Sequence, residues 1–581
     1  MMTKPIIAIQ DLTFQYEGAD APALTHVNLT VKEGETVLLL GPSGCGKSTL
    51  LLCLNGIIPK RVAGQFKGRV SMAGLDVAEH EVYEMAQRVG LVFQDPEAQF
   101  STLYVEDEVA FGLENLRCPR DVMQNQVAWA LQQVGLADKI GIRLDHLSGG
   151  EKQKVALASV LAMAPEIMVL DAPTANLDPA SARDFWALLR HLKQELGKTV
   201  IIVEQQVDEF IDMVDRLVVM NEQRGIIGDG RPREVIEALG SEVLTRYGIW
   251  IPQIWELAGE ARRQGMSTAA YPLTIQEAYT NLASLFNNHM PANGAIEGSS
   301  TQAFPEQPEV IQVNGLSHTY SSSLEGTVAL RNAHLQIHAG DFCAIVGQNG
   351  AGKTTLAKYI TKILEPPPGT LFLNGADVAE LSLSDVTRHV GYVFQNPEHQ
   401  FVEETVYDEL AYSLRVRGSD EATVRPRVLE MLERFQLRSL AHLHPFALSQ
   451  GEKRRLSVAT MLISRPDVLI LDEPTLGQDR ATALALMEAM RDLNRQGKTI
   501  IFITHDMRLV SEYARRVIVM AQGSVIFQGT VHELFERPDI MAAASLLPPP
   551  VVALARHFRA ANPAFPPVAS LGEFHELLEE A

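Results

Sequence analysis

Short apolar runs recur along the chain, each ending at polar or glycine-rich residues and separated from the next by helical patterning. Val37–Leu40 runs into a glycine-rich loop, Ile167–Leu170 ends at Asp171, and Thr199–Val203 ends at Glu204 and Gln205. Val468–Leu471 repeats the second of these and ends at Asp472. Uninterrupted apolar runs of this length predict strands buried in a parallel sheet. Strands that end at polar groups, with helices between them, predict an α/β fold whose site lies at the strands' C-terminal ends.

The pattern is written twice. One offset relates Gln94 to Gln395, Ser148 to Ser449 and Asp171 to Asp472, and a slightly larger one relates Lys47 to Lys353, so a small insertion lies early in the second half. The likeness continues past the motifs: PQIWELA from Pro252 resembles PPVVALA from Pro549, and Glu277 sits where Glu573 does. The expected organisation is a first domain at 1–240 with an amphipathic appendix at 241–286, and a second domain at 310–540 with an appendix at 541–581. The stretch 287–309, rich in Pro, Gly, Ser, Asn and Gln, reads as a flexible linker.

With 581 residues the chain exceeds one hydrophobic core. Its 50 basic and 71 acidic residues give a formal charge of −21, which argues against nucleic acid or anionic lipid as a main partner. Cys45, Cys53, Cys118 and Cys343 have no zinc-site or disulfide spacing, and a reducing cytosol fits them. The first residues, MMTKPIIAIQ, turn polar too soon for a signal peptide, and no run approaches the roughly 18 to 20 apolar residues of a membrane span.

Two loops of the form G-x-x-x-x-G-K-[S/T] follow apolar strands. The first is Gly41, Pro42, Ser43, Gly44, Cys45, Gly46, Lys47, Ser48 and Thr49. The second is Gly347, Gln348, Asn349, Gly350, Ala351, Gly352, Lys353, Thr354 and Thr355. Glycines let backbone N–H groups curl around phosphate oxygens, and the helix that follows adds partial positive charge. Lys47 and Lys353 would reach the terminal phosphates of ATP, and Ser48 and Thr354 would ligate Mg2+. Cys45 occupies a variable position of the loop and reads as structural. Asp171 and Asp472, each closing an apolar strand, place a carboxylate beside that cation. The next residue faces the γ-phosphate. Glu473 can orient an attacking water there, whereas Ala172 cannot.

Between these stations lie LSGGE, with Ser148, Gly149, Gly150 and Glu151, and LSQGE, with Ser449, Gln450, Gly451 and Glu452. Both resemble the signature of ABC ATPases. The resemblance implies two nucleotide-binding domains, each with a P-loop parallel-sheet core, a helical signature subdomain, a small antiparallel β subdomain and a small C-terminal helical appendix. It makes Gln94 and Gln395 Q-loop glutamines that join Ser48, Thr354, Asp171 and Asp472 around Mg2+. Asp178 and Asp479 become D-loop aspartates, His505 a switch histidine with Gln205 at its place in the first half, and Tyr16 and Tyr320 the aromatics that stack on adenine.

A narrower likeness sits at the Q-loops, VFQDPEAQF and VFQNPEHQF. This doubled pattern resembles the energising subunits of energy-coupling-factor (ECF) importers, in which paired ATPases drive a transmembrane T-component and an S-component captures a vitamin or transition-metal ion. By that resemblance the chain is a peripheral protein of the cytoplasmic membrane face. Pro96, Gln99, Phe100, Pro397, Gln400 and Phe401 would then meet the membrane partner; the alternative places the two phenylalanines in the helical subdomain's own core.

The family pairs its domains head to tail, so each nucleotide meets the Walker motifs of one half and the signature of the other. The first site would combine Ala172 and Gln205 with a signature carrying Gln450, and the second would combine Glu473 and His505 with the intact LSGGE. Losing one well-placed catalytic group commonly costs on the order of 10²–10³ in rate. The first site is therefore expected to hold ATP and the second to hydrolyse it. Glu204 is not expected to replace the missing carboxylate, because alternation along a strand turns it away from the neighbouring position. Rival readings are a conventional ABC transporter ATPase and a tandem ABC protein acting on ribosomes or nucleic acid. The latter should show basic surfaces or a long charged linker, whereas this chain is acidic and its linker is short and polar.

Overall fold

The computed structural model describes residues 5–265, 270–288, 307–320 and 327–580. Most of the expected linker therefore lies outside the described residues. The chain forms two compact units, Met1–Ser284 with Asp479–Ala481, and Leu285–Gln478 with Thr482–Ala581.

Ten strands build the first unit: β1 (Ile7–Tyr16), β2 (Leu24–Val31), β3 (Thr36–Leu40), β4 (Gly64–Met72), β5 (Leu75–Asp76), β6 (Val89–Val92), β7 (Ile167–Asp171), β8 (Thr199–Val203), β9 (Arg216–Met220) and β10 (Ile226–Gly230). The core sheet has the order β10-β9-β3-β8-β7-β6, with β6 to β9 and β3 parallel and β10 antiparallel at one edge. A second, antiparallel sheet runs β2-β1-β4-β5. The runs read as parallel strands are fully buried, as strands covered on both faces must be. The antiparallel strands alternate instead, and Ile7, Ile9, Leu12 and Phe14 of β1 join the core with Leu24, Val27, Leu29 and Val31 of β2.

The second unit repeats this plan. Its strands are β11 (Glu309–Tyr320), β12 (Thr327–His338), β13 (Phe342–Val346), β14 (Leu371–Leu373), β15 (Ala376–Asp377), β16 (Val390–Val393), β17 (Val468–Asp472), β18 (Thr499–Ile503), β19 (Arg516–Ala521) and β20 (Ser524–Thr530). They form a core sheet β16-β17-β18-β13-β19-β20 and an antiparallel sheet β12-β11-β14-β15. Between the sixth and seventh strands of each unit lies a helical subdomain, with Val105–Asn115, Arg120–Gln133 and Gly149–Ala162 in one and Val406–Val416, Glu421–Arg434 and Gln450–Leu462 in the other.

Each appendix is helical, and its last helix opens with the same device. Thr274 accepts the N–H of Glu277, whose carboxylate accepts the N–H of Leu273 (2.8 Å); Ser570, Glu573 and Ala569 repeat the pattern (2.7 Å). This [S/T]-x-x-E cap, a variant of the capping box, explains why Glu277 and Glu573 align in sequence. Each glutamate also ties its helix back to the ATPase domain, Glu277 to Arg233 in two bonds (2.7 and 2.8 Å) and Glu573 to His532 (3.1 Å). In the first appendix Trp255 is fully buried and donates its indole N–H to Pro272 (2.6 Å). Among the described residues no helix is long and apolar enough to cross a membrane.

Candidate active site

Each glycine loop leaves the C-terminal end of a central strand, β3 or β13, and opens the helix Lys47–Leu54 or Lys353–Ile360. Gly46 and Gly352 stand immediately before the lysines with φ of 99° and 98°. A Cβ on either would lie 2.3 Å from a carbonyl oxygen, of Ala23 or Ala329, so only glycine fits. Both lysine ammoniums curl into the loop, Lys47 onto the carbonyls of Gly41 and Pro42 (2.8 and 2.9 Å) and Lys353 onto those of Gly347 and Gln348 (2.7 and 2.9 Å). Tyr16 and Tyr320 reach the same helices, 3.0 Å from the Thr49 hydroxyl and 3.3 Å from that of Thr355.

The carboxylates at the ends of β7 and β17 meet these loops. Burial raises the carboxyl groups of Asp171 and Asp472 above their ordinary range, against the opposing effect of the nearby Ser48 and Thr354 hydroxyls. A hydroxyl paired with a carboxylate is an oxygen donor set suited to Mg2+, which takes only one or two protein carboxylates when phosphates and water complete its shell. Asp472 also accepts from the Tyr392 hydroxyl (2.9 Å). Sequence reasoning missed this contact, for Tyr392 reads as one more strand residue and its counterpart is Leu91.

The residue after each aspartate distinguishes the halves. Glu473 accepts from His505 Nδ1 (2.8 Å) and from the Thr504 hydroxyl (3.3 Å). Burial pushes the Glu473 carboxyl up, but the charge and hydrogen bond of His505 outweigh it and hold the group below the usual glutamate range. The converse holds at His505: burial lowers it, the Glu473 charge raises it more, and the net shift is upward. Each partner thus favours the charged form of the other in a partly buried pair.

In the first half Ala172 and Gln205 stand in these places, and the neighbouring Glu204 is taken up by other contacts. Strand β8 ends at Val203, so the pleat no longer governs the next residue. Glu204 is 4 % exposed. It accepts both the hydroxyl and the main-chain N–H of Thr174, two residues beyond Ala172, and the N–H of Gln205. Burial, assisted by the nearby Asp171 charge, pushes its carboxyl up to about 7 despite these bonds. The group staples the segment after β7.

Ser148 and Ser449 cap the signature helices, and each makes a full capping box with its glutamate: Ser148 N–H bonds Glu151 at 2.8 Å, and Ser449 N–H bonds Glu452 at 2.8 Å. Asp178 caps the helix Pro179–Leu196 through Ser181. Asp479 directly precedes the helix Arg480–Arg495.

The Q-loop pattern has a structural explanation. Asp95 and Asn396 cap the short turns Pro96–Gln99 and Pro397–Gln400. Glu97 and Glu398 pair with Lys152 and Lys453 of the signature helices. Gln99 donates to the Ala156 carbonyl and the Ser159 hydroxyl, while Gln400 donates to the Ser457 carbonyl and Thr460 and accepts from the Ser457 hydroxyl. Pro96, Pro397 and Phe401 are buried, Phe401 at 8 % exposure, and Phe100 is half-buried. Five of the six thus serve the subdomain's own packing, which favours the alternative placement in the subdomain core for Phe401, while Gln99, Phe100 and Gln400 keep part of their surface open. The open apolar side chains nearby are Leu103 (62 % exposed) in the first unit and Val402 (66 %) and Phe446 (48 %) in the second.

The ABC transporter family matches residues 24–175 and 330–476. The chain belongs to that family, and its activity is ATP hydrolysis coupled to transport. A Methanosarcina acetivorans protein, provisionally named an ABC transporter ATP-binding protein, is 39 % identical over 99 % of this chain and 94 % of its own. The Bacillus subtilis protein YkoD, provisionally named an HMP/thiamine import ATP-binding protein, is 37 % identical over 92 % of this chain and 93 % of its own. Among solved structures, cbiO1 of Clostridium perfringens, part of the ABC transporter complex cbiONQ, is 32 % identical, covers 44 % of this chain and 99 % of its own, and gives a TM-score of 0.38.

Proposed function

We propose that this chain is the energising ATPase of an ECF-type importer for a vitamin, a vitamin precursor or a transition-metal ion, with one hydrolytic and one holding ATP site. Lys353, Thr354, Asp472, Gln395, Glu473 and His505 carry hydrolysis; Lys47, Ser48, Asp171 and Gln94 bind a second ATP that Ala172 and Gln205 leave intact. Mg2+ would be held by the hydroxyl–carboxylate pairs Ser48–Asp171 and Thr354–Asp472 together with the Q-loop glutamines, where it supplies charge neutralisation for the phosphates.

The observation that carries this reading is the Glu473–His505 pair, 2.8 Å apart in one half and absent as side-chain chemistry from the other. The transport class is supported by the doubled FQ[ND]P-x-x-Q sequence and by a full-length relative named for HMP/thiamine import. The chain would dock on the cytoplasmic face through a transmembrane T-component, with an S-component selecting the cargo.

The test is isolation of the tagged full chain from detergent-solubilised membranes. Co-isolation of an integral membrane T-component with a small S-component is expected. Recovery of ribosomes, or of a transporter whose partners bind cargo outside the membrane, would overturn the ECF assignment.

A further inference from the structure

The second half contains a buried cation that the first half lacks. Arg454 lies in the second turn of the signature helix Gln450–Leu462 and is 3 % exposed. Its guanidinium donates to three main-chain carbonyls: Nη1 to Phe394 (2.6 Å), and Nη2 to Gln395 (2.5 Å) and Glu473 (3.4 Å). Phe394 and Gln395 form the Q-loop as it leaves β16; Glu473 follows β17. One side chain thus binds the main chain of the Mg2+-side glutamine to that of the water-orienting glutamate. The counterpart in the first half is Gln153, which makes a single long bond to Phe93 (3.5 Å).

Stability alone does not account for this arrangement. Burial lowers the Arg454 guanidinium to about 10, against which the Asp472 and Glu473 charges work, so the cation persists at neutral pH. Its Nε is buried with no hydrogen-bond partner, which itself costs free energy. Glu473 has φ of 45° and Ala172 has φ of 42°, so the left-handed main chain is common to both halves while the arginine is not, and what the arginine adds is the bond from Glu473 to the Q-loop.

We propose that Arg454 is a positioning residue for hydrolysis: it fixes the main chain of Glu473 to that of the Q-loop, so that the carboxylate's placement follows Phe394 and Gln395. This rests on the reading of Glu473 as the water-orienting group. The guanidinium bonds only main-chain carbonyls, those of Phe394, Gln395 and Glu473, and so acts through Glu473.

The test is Arg454→Gln, which installs the first half's residue, in the full chain assembled with its membrane partners. A misplacement of about 1 Å is enough to lower kcat roughly 10- to 100-fold, and the KM for ATP should move by less than about threefold. Arg454→Lys, able to reach some of the three carbonyls, should recover part of the rate at the same KM, and carries the comparison if Arg454→Gln does not fold. In a Glu473→Gln background, adding Arg454→Gln should lower the residual rate no further, because one group acts through the other. An unchanged kcat, a loss carried by KM, or a full further loss in the double variant would overturn the inference. Retention of the wild-type rate by Glu473→Gln alone would instead sink the reading of the site on which it rests.

Discussion

His505 donates from Nδ1 to the Glu473 carboxylate at 2.8 Å, a bond that joins the ends of β18 and β17. The Thr504 hydroxyl, 3.3 Å from the same carboxylate, closes a second contact between those strand ends. In the first half Ala172 follows β7 and Gln205 lies two residues past the end of β8, and an alanine offers no carboxylate for such a pair.

Removing the charge at Glu473 while keeping its shape should therefore stop turnover. Glu473→Gln is expected to lower the steady-state ATPase rate of the assembled complex at least about 100-fold. Ala172→Glu, which restores a carboxylate without the histidine that orients it, should change the rate by less than about twofold. Phosphate release under saturating ATP measures both, and a Glu473 variant with most of its rate would move hydrolysis to the other half.

The mutual shifts of Glu473 and His505 also set a pH profile. The Glu473 carboxyl is held below its ordinary range, so the carboxylate survives until pH falls through that lowered value. His505 is raised, so the imidazolium persists until pH climbs above the ordinary imidazole value of about 6.5. The pH profile of kcat should accordingly show no inflection near pH 6.5. An inflection there, lost in His505→Ala, would mean that the histidine titrates as an unpaired imidazole.

Glu204 has the opposite character. Its carboxyl is raised to about 7 from an unfolded value near 4.5, so the protonated form is favoured by folding. The stabilisation is complete below pH 4.5 and is lost as pH rises through 7, up to about 3 kcal/mol in all. In Glu204→Gln this pH dependence disappears, and the variant's thermal midpoint should gain on wild type between pH 5 and 8. Parallel midpoints across that range would show that the carboxyl is not held protonated.

The strands and the phosphate loops were legible because both leave local signals: unbroken apolar runs for buried parallel strands, and glycines at fixed spacing where a close carbonyl forbids a Cβ. The doubled catalytic motifs were legible for the same reason, and so was the loss of Glu473's counterpart. What the sequence hides is what lies across the fold. Gln99 and Gln400 look outward in a one-dimensional motif, yet their partners are Ala156 and Ser457 on a helix more than fifty residues away. Strand alternation stops at Val203, so it does not say what Glu204 meets; its partners are Thr174, across the fold, and the adjoining Gln205 N–H. Arg454 and Tyr392 carry no motif of their own, and only burial beside Glu473 and Asp472 marks them.

The two appendices should respond differently to pH although they share one capping device. In the second unit the latch is His532 on Glu573, and that hydrogen bond raises His532 above the ordinary imidazole range against the effect of burial, with Glu536 assisting. The bond's contribution is complete at low pH and is lost as pH rises through the raised value. In the first unit Arg233 takes this place, and a guanidinium keeps its charge throughout. Amide exchange in Leu571–Glu580 should quicken between pH 6 and 9 relative to the intrinsic rate, and exchange in the helix from Ile275 should not. His532→Arg should remove the difference.

The inward-facing glutamines and the outward-facing valine near them give a final pair of expectations. Gln400 makes three bonds to the signature helix from a partly buried position, so Gln400→Ala leaves polar groups of Ser457 and Thr460 without this partner. It should cost about 1–3 kcal/mol of stability. Val402, two residues on, is 66 % exposed. Val402→Asp should leave the thermal midpoint of the isolated chain within about 0.5 kcal/mol of wild type. If the open apolar surface beside the Q-loop is what meets the membrane partner, Val402→Asp should nevertheless reduce recovery of the T-component with the tagged chain. Gln400→Ala should reduce it only in proportion to the folded fraction. Normal recovery with Val402→Asp would move the partner's contact away from this edge of the helical subdomain, whereas a large loss of stability in the same variant would show that Val402 belongs to the packing after all.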